Sequence, residues 1–139
     1  MAGIDTLYAN DFDDAEIAAL SSSGNRIVLS RDRDLLIRKE IKYGCYVRAL
    51  KPEDQALQVF ARYQLSLHAK PFSLCLACNA ALRSVAKSEV ASGLPPRIRD
   101  LHQEFRCCDL CGRVFWKGSH WRRMDELLGR LLNAVQGSV

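Results

Sequence analysis

Long apolar runs and leader-like segments are both missing from this sequence of 139 residues. No stretch reaches the ~18 consecutive apolar residues that a membrane-spanning helix needs. The first residues, MAGIDTLYANDFDD, lack the basic region followed by an apolar one that is typical of a secretory signal. We therefore expect a cytoplasmic protein without a membrane partner, built as one domain with a small appended module.

The net charge of +4 is unevenly distributed along the chain. Residues 1–60 hold 8 Lys/Arg and 10 Asp/Glu, whereas residues 61–139 hold 12 and 6. An acidic half joined to a basic half favours an anionic partner for the basic half. Ordinary surface charge explains the same imbalance equally well, so charge alone does not decide between the two interpretations.

The first half alternates between strand-like and helix-like segments. The predicted strands are 4–9, 26–30 and 45–50, and the predicted helices are 13–24, 34–44 and 52–68. Such alternation predicts parallel strands joined by right-handed crossovers, which is an α/β fold.

The second half has a different character. The segments PFSLCLACNAAL and FRCCDLCGRVFWKG each predict a strand, a Cys-x-x-Cys turn and a second strand, separated by a polar linker over 83–104. The tail 120–136 predicts an amphipathic helix that docks on a core, with a partner helix or a dimer as the alternatives. The expected parts are an α/β domain over 1–70, a zinc ribbon with an inserted loop over 71–121, and a C-terminal helix over 122–139. One face of the amphipathic helix predicted over 120–136 contains Trp121, Met124, Leu127, Leu128, Leu131, Leu132 and Val135.

Two Cys-x-x-Cys pairs predict a structural zinc site. Four thiolates supplied by two such turns complete a closed tetrahedral site, which leaves no open position for catalysis. Reduced buried thiols or a redox pair are the alternatives. Cys107 is the spare cysteine, because the next position gives the two-residue spacing and a following glycine. The predicted ligands are Cys75, Cys78, Cys108 and Cys111.

Basic and aromatic residues are interleaved around the second pair. This pattern suits a surface that follows a phosphate backbone and stacks bases, although the aromatic residues could equally pack the ribbon against the main domain. The predicted RNA contacts there are Arg113, Lys117, His120, Arg122 and Arg123.

Acidic residues follow the predicted strands 4–9 and 26–30. The carboxyl ends of parallel strands meet at one edge of a sheet, where ligands bind. Asp14, Asp32 and Asp34 could therefore gather there and hold Mg²⁺ or Mn²⁺. Helix capping is the alternative role for any one of them, but Asp32 and Asp34 cannot both be the same cap.

Three segments, taken in order, resemble the Mut-seven C-terminal RNase domain family: RIVLSRDRDLL, CLACNAAL and CCDLCGRVFWKGSHWRRM. The resemblance implies a PIN-like nuclease fold with a zinc ribbon, and a ribonuclease that uses Mg²⁺ or Mn²⁺ to hydrolyse RNA phosphodiester bonds. DDAEIAAL is similar to the family's acidic helix start, which places a functional acid on Asp14. SRDRD is similar to its TRD element, with Ser30 in place of Thr, which places acids on Asp32 and Asp34. We also include the neighbouring Arg31 among the candidate RNA contacts.

Members of that family have a strand carrying an aspartate, and then a helix, before the segment that matches GIDTLYA. The resemblance implies that this aspartate is a principal metal ligand, so we expect an acidic site that is incomplete within these residues. A shortened sequence, a strand exchanged in a homodimer, or a domain that binds without catalysis would each account for it. The alternative function is a catalytically impaired zinc-ribbon module that binds RNA or protein.

Overall fold

The computed structural model describes residues 1–136, which form two compact units. The α/β unit is Tyr8–Tyr63, and the ribbon unit combines Met1–Leu7 with the chain from Gln64 onward. The predicted mixed α/β class is confirmed, because one unit contains a parallel sheet and the other an antiparallel sheet, with helices in both. The division into 1–70, 71–121 and 122–139 remains a prediction. Within the described residues, no helix has both the length and the apolar character that crossing a bilayer requires.

A two-stranded parallel sheet and three helices make up the α/β unit. Leu29 on the first strand lies opposite Cys45 on the second, which fixes the register. The strands are β1 (Val28–Ser30) and β2 (Gly44–Tyr46), and the helices are α1 (Asp14–Gly24), α2 (Arg33–Leu36) and α3 (Pro52–Tyr63).

The buried cluster of this unit explains why the predicted helix over 34–44 is wrong. Leu35 and Ile41 both belong to the cluster, together with Ala18 and Val28. On a continuous helix, residues six apart point in directions about 120° apart. The chain therefore leaves α2 after Leu36 and turns back, which allows Ile41 to reach the same core as Leu35. The predicted helix over 52–68 is also too long, because Gln64 has a left-handed φ of 51° and ends α3.

A three-stranded antiparallel sheet in the order β3-β4-β5 forms the centre of the ribbon unit. Its strands are β3 (Leu82–Val85), β4 (Phe105–Cys108) and β5 (Val114–Trp116). Its helices are α4 (Lys87–Val90), α5 (Pro96–Leu101) and α6 (Ser119–Gln136). Leu128 and Leu131 on the apolar face of α6 are buried, as that face predicts.

The segment 83–104, predicted as a polar linker, contains regular secondary structure. Most of β3 and both short helices lie within it. The strand forms because it pairs with β4, so that Val85 lies opposite Phe105. This pairing joins residues far apart in sequence, and the polar composition of the segment does not reveal it.

The predicted strand over 4–9 is also wrong, because the start of the chain belongs to the ribbon unit up to Leu7 and forms no strand. Lys70 N–H donates to Ala2 C=O (2.8 Å), and Asn79 donates its side-chain amide to Asp5. Gly3 has a φ of 68°, and a Cβ there would lie 1.9 Å from the Lys70 carbonyl oxygen. Only glycine permits this approach, which holds the segment in an irregular conformation.

The outer edge of β2 is covered by a side chain of α3. The Gln58 amide donates to Tyr46 C=O (2.9 Å) and accepts from the N–H groups of Arg48 (2.9 Å) and Ala49 (3.3 Å). Gln55 adds one bond to Ala49 C=O (3.1 Å). A single glutamine thus satisfies backbone groups that a further strand would otherwise bind.

We expect Gln58→Ala to destabilise the α/β unit by about 2 kcal/mol, because it leaves three backbone groups without their partner, two of them partly buried. Gln55→Ala removes one bond and should cost less. Urea denaturation of both variants measures their free energies of unfolding and checks that Gln58→Ala is the less stable of the two. Equal stability of the two variants would contradict it.

Candidate metal centre

Two short turns carry the predicted zinc ligands, and they share one backbone geometry. In each, the residue after the second cysteine donates its N–H to the carbonyl of the first, from Asn79 to Cys75 (2.9 Å) and from Gly112 to Cys108 (2.8 Å). Asn79 and Gly112 are both left-handed, with φ of 62° and 71°. Glycine and asparagine adopt this conformation most readily, which is why they occupy these two positions.

The four sulfur atoms converge on one point between the turns. Cys75 Sγ lies 3.6 Å from Cys111 Sγ, and Cys78 Sγ lies 3.4 Å from Cys108 Sγ. All four sulfurs are within 4.8 Å of one another. Zn–S bonds of ~2.3 Å in a tetrahedron place sulfurs about 3.8 Å apart, so the set fits zinc closely. Four thiolates close the coordination sphere, which suits a structural ion.

The strand register shows which of the adjacent residues Cys107 and Cys108 faces the other cysteine sulfurs. Cys108 is fully buried at the end of β4 and its sulfur joins the group. Cys107 lies opposite Val114 across the sheet, and its thiol faces the carbonyl of Gly112 at 4.0 Å. Neighbouring residues of a strand point to opposite faces, so only one of the pair can reach the site.

The thiols of Cys78 and Cys111 have different proton affinities. The backbone N–H of Arg113 is the main cause that lowers the pKa of Cys111 to about 6. The backbone N–H of Ala80 acts in the same direction on Cys78, but the thiol of Cys108, burial and the other two thiols together raise the pKa of Cys78 to about 12. The protons that remain on the crowded sulfurs must leave when a metal binds.

We expect Cys108→Ser to abolish zinc binding and to unfold the ribbon sheet. Cys107→Ser is the matched control, because it changes the adjacent thiol and leaves the ligand set intact. Elemental analysis and circular dichroism of both variants measure these outcomes. Full zinc content in Cys108→Ser would contradict the ligand assignment.

The apparent zinc affinity should fall as the pH falls, because protons compete with the metal for the thiolates. We expect the dependence to steepen below about pH 6, where Cys111 also becomes protonated. Competition with a chromogenic chelator between pH 5.5 and 8 measures the slope. An affinity independent of pH over this range would contradict thiolate ligation.

The three predicted acids lie in the α/β unit at the starts of helices. Asp14 is the first residue of α1, directly after the N-cap Asp13, which forms a capping box with Glu16. Asp34 lies in the first turn of α2. Among residues 1–136, the cysteines alone form a convergent group of three or more metal-ligating side chains, so the structure does not bring these acids together. Their role in binding Mg²⁺ or Mn²⁺ remains a prediction.

Asp32 is the N-cap of α2, as its position after β1 allows. Its Oδ1 accepts from the N–H groups of Asp34 (2.8 Å) and Leu35 (3.2 Å). Its own N–H donates to Ser30 Oγ (3.0 Å). Both cap bonds end on one carboxylate oxygen, so the second oxygen is available to a cation.

The predicted RNA contacts separate into three places. Arg31 lies in the α/β unit, and the other five lie in the ribbon unit. Lys117, His120 and Arg122 line one cleft of that unit, whereas Arg113 and Arg123 are exposed elsewhere on its surface. Lys117 also contacts Glu104 (2.9 Å), and this ion pair lowers the pKa of the Glu104 carboxyl.

Sequence reasoning missed several residues of this cleft. Phe72 precedes the first cysteine pair, and Arg97 and His102 lie in the segment expected to be a linker. The Pro-Pro sequence before Arg97 was the available signal, because proline is favoured in the first turn of a helix.

A family model, the Mut7-C RNAse domain, matches residues 1–128 of the chain. No curated protein matches significantly, and no solved structure does.

Proposed function

This chain belongs to the Mut7-C RNAse domain family, and on that basis we propose that it is a metal-dependent ribonuclease domain that hydrolyses RNA phosphodiester bonds. The match over residues 1–128 is the observation that carries the proposal, because it spans both units. The basic second half of the sequence supports RNA as the substrate.

Asp14, Asp32 and Asp34 would hold Mg²⁺ or Mn²⁺ in this proposal. A divalent ion bound by carboxylates stabilises the negative charge that develops at a scissile phosphate. Asp32 suits the role because the N–H groups of Asp34 and Leu35 fix one of its oxygens and thereby orient the other. Arg33, next to Asp32 and Asp34 in the sequence, lies over the ring of Tyr46, at 5.0 Å from its centre, and connects α2 to β2.

The zinc ribbon would support binding and take no direct part in the chemistry. A four-thiolate zinc ion has no open coordination position for water or phosphate. Its exposed basic residues Arg113, Lys117, Arg122 and Arg123, with His120, would contact the RNA backbone, and Arg31 would do so from the α/β unit.

We expect Asp32→Asn to abolish cleavage of single-stranded RNA in Mn²⁺. Asparagine caps a helix as well as aspartate does, so the variant removes the charge and keeps the fold. Asp14→Asn should give the same loss. The measurement is the rate of cleavage of a labelled oligoribonucleotide.

Asp13→Asn is the matched control for these variants. It changes a carboxylate next to Asp14 that is engaged in the capping box, so it should retain activity. Wild-type cleavage by Asp32→Asn, or equal losses in all three variants, would refute the assignment of the acids.

A zinc-ribbon module that binds RNA without cleaving it is the second candidate function. The observation in its favour is that Asp14, Asp32 and Asp34 do not converge within the described residues. Tight, salt-dependent RNA binding by the zinc-loaded chain, with no turnover in Mg²⁺ or Mn²⁺, would favour this candidate over the nuclease.

A further inference from the structure

The ribbon unit contains an open cleft of about 950 Å³. Its apolar lining includes Leu82 of β3 and Leu128 of α6. Leu76, which lies in the first Cys-x-x-Cys turn, also lines it. Leu76 and Leu101, which also line the cleft, are 51% and 64% exposed. The cleft therefore presents apolar surface to solvent next to the metal turn.

Aromatic rings are concentrated in this cleft. Phe72, Phe115, Trp116 and Trp121 all line it, and both tryptophans of the chain are among them. Phe72 and Trp121 meet edge to face, with ring centres 6.2 Å apart and planes at 74°. Each of the four rings is partly exposed, so the cleft offers aromatic surface that the core does not use.

Two cations hold the central pair of rings in place. Arg106 lies 5.3 Å from the centre of Phe72 and donates to its carbonyl oxygen (2.6 Å). Lys117 lies 5.6 Å from the centre of Trp121 and is itself fixed by Glu104. A ring surface that is ordered in advance loses little conformational entropy when a ligand stacks on it.

The charged residues of the cleft favour an anion. Arg97, Lys117 and Arg122 line it, against the single acid Asp125. Arg97 and Arg122 are exposed and lie on different helices, α5 and α6. A purely apolar peptide would not need these cations, and a free phosphate would not need the rings. A nucleotide uses both.

We propose that this cleft binds an unpaired base of single-stranded RNA, with an adjacent phosphate on Arg97 or Arg122. Bases of any sequence stack on aromatic side chains, while arginines hold the backbone. The inference deepens the proposed function and rests on it for the choice of RNA. It adds a base-binding subsite in the ribbon unit to the acids that the proposed function assigns to the α/β unit.

Tryptophan fluorescence of the full zinc-loaded chain tests this directly, because both indoles line the cleft. The probes are an eight-nucleotide oligouridylate, an oligoadenylate and an abasic strand of equal length, all in EDTA-free buffer without Mg²⁺ or Mn²⁺. We expect the two oligonucleotides to quench the fluorescence and the abasic strand to bind about tenfold more weakly. Equal affinity for the abasic strand would overturn the proposal.

Two variants separate stacking from charge. Trp116→Leu should weaken oligonucleotide binding about tenfold. Arg97→Ala should weaken it several-fold and reduce its salt dependence, whereas Arg99→Ala, on the same helix and outside the cleft, should leave it unchanged. Zinc content shows that each variant is folded. Wild-type binding by both Trp116→Leu and Arg97→Ala would overturn the proposal.

Cleavage measurements keep this inference distinct from the proposed function. Base-dependent quenching without cleavage in Mn²⁺ would refute the nuclease activity and support the base-binding subsite. Cleavage that depends on Asp32, with no fluorescence response to RNA, would refute the base-binding subsite and support the nuclease activity. Quenching by polyglutamate that RNA does not displace would assign the cleft to an acidic peptide and overturn the proposal.

Discussion

The convergence of four cysteine sulfurs is the constraint on which the ribbon unit depends. Its sheet has strands of only three or four residues, too short to be stable on their own. A structural zinc site contributes on the order of 10 kcal/mol to folding, which is comparable with the whole stability of a small domain. The first Cys-x-x-Cys turn also contributes Leu76 to the cleft of the ribbon unit, so the cleft depends on the same cysteines.

The α/β unit is organised by side chains that satisfy backbone groups. Gln58 covers the edge of β2, and Asp13 and Asp32 cap the helices α1 and α2. Asp32 illustrates how structure and proposed chemistry share one residue. One carboxylate oxygen accepts both cap bonds after β1, and the second oxygen is the one that would bind the cation in the proposed function. A residue that caps a helix is therefore not excluded from a metal site.

Features that depend on local spacing could be predicted from the sequence. The two Cys-x-x-Cys pairs predict the four cysteines whose sulfurs converge, and the glycine at position 112 distinguishes Cys108 from Cys107. Long-range contacts could not be predicted. The close approach of Gly3 to Lys70 removes the expected first strand, and the pairing of β3 with β4 gives structure to the expected linker. The cleft was missed for the same reason, because its lining residues are dispersed along the sequence.

The tryptophans and tyrosines are divided between the two units, so that each unit has its own near-ultraviolet spectroscopic signal. Both tryptophans belong to the ribbon unit, whereas all four tyrosines, Tyr8, Tyr43, Tyr46 and Tyr63, belong to the α/β unit. Loss of tertiary structure in one unit therefore changes the near-ultraviolet spectrum of one chromophore type. Removal of a metal held by the four cysteines should change the tryptophan bands before the tyrosine bands. Comparing the two sets of bands would then measure whether the units unfold together, without an added label.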